Sequence, residues 1–175
     1  MPTPQTRTEA LLTSIGWFWL VNAGTILFLL FALLLTYPLY AGALAGWIAV
    51  PPLPGMGPVL WIGEHLITLL LLHIALCLYT LVPSVAIFRF RTWARRQLEV
   101  LSWASIGYTL ALLWVYFHFW FSLLAATGPE NLLLSPMLFY ALILGIGVGL
   151  GLMIGLPFVI VLHFLRRADL RTATR

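Results

Sequence analysis

Charge is nearly missing from this chain: charged residues make up 8% of its 175 positions, whereas a soluble domain carries about a quarter. Apolar residues reach 62%, and the mean hydropathy is +1.04. So little polar surface cannot cover a water-soluble globule. Lipid must be the solvent, and in lipid only helices or a closed barrel satisfy the backbone. Lysine is absent, which excludes Schiff-base catalysis through a lysine amine. Cysteine occurs once, at Cys77, which excludes an internal disulfide, a CxxC redox pair and a zinc-thiolate site. Aspartate also occurs once, at Asp169 in the arginine-rich tail, so the apolar segments hold neither an aspartyl dyad nor a Ser-His-Asp triad. Phosphate loops, dinucleotide fingerprints and HExxH stretches are missing too. The chain shows no internal repeat of the kind a transporter uses and no charged ring for a channel. No catalytic residue is assigned, and no enzyme activity is expected of the chain on its own.

What remains is apolar sequence in long unbroken runs, which favours helices, because barrel strands are short and alternate strictly. The expected fold class is an all-α integral membrane protein, a four-helix transmembrane bundle in one domain spanning residues 1–175. Its helices are expected over 15–37, 61–88, 98–126 and 137–165, each long enough to cross with tilt. The first run holds roughly 20 apolar residues and so exceeds the core of a typical secretory signal, which predicts a retained helix. Trp17 and Trp19 open it, and Tyr37 and Tyr40 close it at the interface. Residues 38–60 read as an uncharged extracytoplasmic loop rich in proline, at Pro51, Pro52, Pro54 and Pro58, with Trp47 and Trp61 as anchors.

All nine basic residues are arginines: Arg7, then Arg89, Arg91, Arg95 and Arg96, then Arg166, Arg167, Arg171 and Arg175. They cluster between apolar runs and form no basic face, so nucleic acid is not an expected partner. Four crossings bring every cluster to one side, and the positive-inside rule makes that side cytoplasmic, with both termini there. The location expected is a cell membrane of the bacterial cytoplasmic type.

Gly145, Gly147, Gly149, Gly151 and Gly155 crowd the last helix. Each glycine costs a helix about 1 kcal/mol relative to alanine, so the cluster needs a packing reason, and in lipid that reason is close approach of another helix. Spacing by two places glycines on more than one face.

Ionisable groups inside a membrane span are candidates for function, because an idle charge there is costly. Counted from mid-span at 1.5 Å per residue, His65 and His118 lie on the order of 14 and 8 Å toward the outside, with His73 near the midplane. His65 with His118, or His73 with His118, are candidate axial ligand pairs for a b-type haem, whose iron is the only metal considered. A quinone is the other candidate cofactor, walled by the aromatic run Trp114, Tyr116, Phe117, His118, Phe119, Trp120 and Phe121. His73, Cys77, Thr80 and Ser84 form one polar stripe and Ser102, Ser105, Thr109 and Tyr116 another. Facing stripes would hydrogen-bond helix to helix or carry protons through His73.

Packing features outnumber reactive ones. The expected function is therefore an accessory or structural subunit in a larger membrane complex, its partners being the lipid bilayer and other membrane chains or a second copy of itself. A haem- or quinone-binding electron-transfer subunit is the alternative, and a small lipid-substrate transporter or enzyme with the proline-rich loop as its lid is a further one.

Overall fold

The computed structural model describes residues 4–48, 55–128, 135–168, 170 and 174, and among these every element is helical. In chain order they are α1 (Pro4–Ile48), α2 (Gly57–Glu64), α3 (Leu66–Ala86), α4 (Thr92–Thr127) and α5 (Pro136–Leu165), with one 3-10 turn, Ile87–Arg89, joining α3 to α4. Four segments, Arg7–Ala43, Leu66–Arg89, Thr92–Ala126 and Pro136–Leu165, are long and apolar enough to cross a membrane.

Helix α1 starts at Pro4 and α4 at Thr92, ahead of the expected residues 15 and 98, and two further boundaries differ for identifiable reasons. The first helix does not stop at Tyr37 but runs through Pro38 to Ile48, so the supposed loop begins later. A proline inside a helix removes one backbone donor and crowds the preceding turn. Here Thr36 Oγ1 donates to the carbonyls of Ala32 and Leu33 at 2.9 and 3.2 Å, and Tyr40 Oη donates to Leu33 at 2.9 Å. Hydroxyls thus serve the carbonyls next to the interruption, as lipid-embedded helices commonly arrange. The second span likewise starts at Leu66, because residues from Gly57 form the separate short helix α2 with Pro58 in its first turn. The two helices meet at His65, with φ −104° and ψ 15°. The expected loop prolines Pro51, Pro52 and Pro54 lie outside the described residues, as do Glu130, Asp169, Arg171, Arg175 and the side chain of Trp47. A lid built on that loop therefore has no described geometry.

The last helix starts where sequence chemistry places it. Ser135 caps it by accepting from the Leu138 N–H at 3.4 Å, and Pro136 fills the first position, where no intrahelical donor is needed. At the end of α4, Gly128 takes φ +74° and its N–H reaches the Leu124 carbonyl.

Packing joins α1 to α3 and α4 to α5, with a thinner seam between α3 and α4. The one large core lies at the end where the arginines gather. Leu12, Ile87, Leu98 and Leu165 are fully buried there, together with Ile15, Trp19, Ala94 and Phe158. Gly16 makes this closure possible, since a Cβ on it would sit 2.7 Å from Ile87 and 2.8 Å from the Phe88 ring. Toward the opposite end α1 turns apolar side chains outward, with Leu39 85% exposed. Such a surface suits lipid or another apolar helix and would be unfavourable in water.

Candidate functional site

The glycine-rich helix has two distinct faces. On one, Gly147, Gly151 and Gly155 stand one turn apart and receive side chains of α4. A Cβ on Gly147 would collide with the Phe117 ring, one on Gly151 would lie 2.8 Å from Leu113, and one on Gly155 would lie 3.4 Å from Thr109. Tyr116 closes the same seam by donating from its hydroxyl to the Ile143 carbonyl at 3.2 Å. Ring contacts extend it, Trp120 on Phe139 and Phe121 on Tyr140 with centroids 6.0 and 6.2 Å apart. The other face carries Gly145 and Gly149, also one turn apart, and a Cβ on either would meet nothing within 4 Å. Both are exposed, and Leu142, Val148, Leu152 and Leu156 around them are exposed as well.

The three candidate ligand histidines stand in three different settings. His65 turns Nδ1 to the Trp61 carbonyl at 2.9 Å and stacks on the Trp61 ring at 4.6 Å. His118 stacks on Trp114, with centroids 5.2 Å apart and planes 6° from parallel. It lines a shallow groove with Phe117, Phe121 and Ser122. His73 bonds through Nδ1 to the Leu69 carbonyl at 2.7 Å and through Nε2 to the Tyr108 hydroxyl at 3.1 Å. A carbonyl can only accept, so the proton sits on Nδ1, and in the neutral ring Nε2 accepts from Tyr108. Each ring's close neighbour is thus an aromatic residue, and among the described residues no three His, Cys, Asp or Glu side chains gather as a metal site.

Of the polar stripes, His73 and Tyr116 bond to another helix, whereas four hydroxyls act differently from expectation. Thr80, Ser84, Ser102 and Thr109 each donate to the carbonyl four residues earlier in their own helix, at 2.6–2.8 Å. A hydroxyl satisfied within its helix needs no partner across the interface. Thr109 and Tyr116 moreover face α5 rather than α3. The α3–α4 seam is instead bridged by His73 with Tyr108 and by Tyr79, which donates to Gln97 Oε1 at 2.8 Å.

The arginines form one end of the molecule. Arg95 is buried, donates from Nη1 to the Leu165 carbonyl at 3.1 Å, and lies 3.5 Å from Glu99. Glu99 also holds Arg166, at 3.2 Å, and Arg166 covers the Trp103 ring at 5.9 Å. Arg167 rests over Phe164, whereas Arg89, Arg91 and Arg96 are exposed. Sequence reasoning gave Arg95 only a topological meaning. The signal it passed over is the Arg95–Glu99 spacing of four, which puts opposite charges on one helix face. Tyr108, 35 positions from His73, carried no such signal.

These observations define an all-helical protein with four helices compatible with crossing a membrane. No known protein family, curated protein or solved structure matches the chain.

Proposed function

We propose that the protein is a four-span, non-catalytic membrane subunit, with both termini in the cytoplasm, that meets another membrane chain on the Gly145–Gly149 face of α5. The observation carrying this reading is the division of the glycine ladder. Three glycines are used inside the chain, while the remaining two are open and exposed on the side turned from α4. Two glycines in a lipid-facing helix lower its stability and return nothing unless a second backbone approaches them. Arginine placement supports the orientation, since Arg7, Arg89 to Arg96, Arg166 and Arg167 share one end.

The experiment is purification in mild detergent with mass measured by light scattering, alongside a Gly145→Leu/Gly149→Leu variant. Wild-type protein is expected in an assembly larger than one chain, and the leucine variant as the bare chain. A wild-type protein that runs alone, or a variant that assembles equally well, overturns the reading.

A second reading rests on His118, whose ring has no hydrogen bond among the described residues and opens onto the groove of Trp114, Phe117, Phe121 and Ser122. Those rings suit a flat quinone, with imidazole and hydroxyl as its polar contacts. Solvent extraction of the purified protein, followed by chromatography for bound quinone and a visible spectrum for haem, decides it. A colourless preparation yielding no quinone removes this reading.

A further inference from the structure

The turn between α3 and α4 leads to a ligand that neither reading requires. Its Ile87 is fully buried, and Phe90, the one described non-glycine residue with positive φ, at 54°, folds back to bond the Ile87 carbonyl at 2.9 Å. Phe90 packs against the core. Two apolar anchors in an αL turn therefore fix a short segment whose polar members, Arg89 and Arg91, must point out. Both are exposed, and neither guanidinium has a hydrogen bond or acidic partner among the described residues. Glu99, the nearest acid in sequence, is already held by Arg95 and Arg166.

Below these guanidinium groups runs a groove of about 590 Å³ whose wall is Leu81, Val82, Val85 and Ala86 and whose rim is Arg89, Arg91 and Trp93. The helix α4 begins at this rim, and no side chain caps its first amides. Its positive end adds to the attraction for an anion. An apolar channel running along a helix, topped by two unpaired arginines and an interfacial tryptophan, matches a molecule with an acyl chain below and a phosphate above. A soluble anion would have no use for the apolar wall, and a zwitterionic lipid would bring a cation toward the arginines.

We propose that this groove is a binding site for one anionic phospholipid, its phosphate between Arg89 and Arg91 and its chain along Val82 and Val85. The site rests on the helices crossing a bilayer and is independent of association through α5.

Native mass spectrometry of protein released from vesicles of equal phosphatidylglycerol and phosphatidylcholine tests it. Wild-type chain is expected to retain phosphatidylglycerol in preference. Arg89→Gln/Arg91→Gln should lower that retention by about five-fold per arginine, whereas Arg96→Gln, exposed in the same cluster but outside the groove, should leave it unchanged. Val85→Trp, which fills the channel and keeps both charges, should lower retention of either lipid. Circular dichroism checks that each variant is folded. Equal retention of the two lipids, a double variant indistinguishable from wild type, or displacement of the lipid by millimolar inorganic phosphate overturns the proposal, the last in favour of a plain anion site. Because retention is counted per chain, a failure here is separate from a failure to assemble.

Discussion

The guanidinium of Arg95, buried between α4 and α5, donates to the carbonyl oxygen of Leu165 at 3.1 Å and so closes the C-terminal turn of α5 from a different helix. The last carbonyls of a helix lack intrahelical donors, and a cation near that end also complements the helix dipole. Glu99, one turn along α4, balances the charge and draws in Arg166 from beyond α5. Replacing Arg95 with Met is expected to cost about 2–3 kcal/mol, because a charge-assisted bond is lost and its acceptor, the carbonyl of the buried Leu165, is left without it. Arg166→Gln should cost below about 1 kcal/mol, since Arg166 is more than half exposed. Unfolding in mixed micelles by sodium dodecyl sulfate titration gives both values, and equal costs would contradict the assigned geometry.

The two glycine faces predict opposite responses to the same substitution. Gly147→Leu drives a side chain into Phe117 and Tyr116, and overpacking of this kind costs roughly 1–3 kcal/mol. Gly149→Ala places its methyl in open space, so the isolated chain should gain up to about 1 kcal/mol from helix propensity. The same micellar unfolding assay, run on the dispersed chain, separates them by sign.

Spacing alone places these glycines on more than one face but does not say which of the faces is used inside the chain. Glycines at alternate positions announce close approach, yet which face meets α4 depends on Leu113 and Phe117 being the side chains that fill it. The four long apolar helices were legible, because run length and hydropathy are properties of the chain itself. Pro38 misled for a local reason. Proline at 38 removes only the donor to the Leu34 carbonyl, and the neighbouring carbonyls of Ala32 and Leu33 carry extra hydroxyl donors from Thr36 and Tyr40. Thr80, Ser84, Ser102 and Thr109 misled for the converse reason, since a hydroxyl bonded to its own helix resembles, in sequence, one waiting for a neighbour. The histidines were recognisable as candidates, but their partners come from Tyr108, Trp61 and Trp114, which only the folded packing or a local ring stack selects.

His73 offers a test independent of function. With Nδ1 on the Leu69 carbonyl, its neutral ring should show the Nδ1–H tautomer in nitrogen-15 spectra of labelled protein. Tyr108→Phe removes the donor to Nε2 while leaving that tautomer in place, and should cost around 0.6 kcal/mol, the average for a hydrogen bond between membrane helices. An Nε2–H tautomer in the wild type would contradict the assignment.

Gly55 is held by two constraints that a double-mutant cycle can separate. It adopts φ +83°, and a Cβ there would collide with Ser122 Cβ of α4. Gly55→Ala should therefore suffer backbone strain of about 1–3 kcal/mol together with a steric term. Ser122→Ala keeps the nearest offending atom, Cβ, and removes only Oγ, 2.8 Å from the added methyl, so it should rescue little. Ser122→Gly removes that atom, at a helix-propensity cost of its own, so the steric part appears as a favourable coupling in the cycle, within the roughly 0.5–3 kcal/mol typical of residues in contact. The strain part has no partner in α4 and should survive in the double variant. A cycle that closes with no coupling would mean that Gly55 is kept for its backbone angle alone, and that the segment leading into α2 does not rest on Ser122.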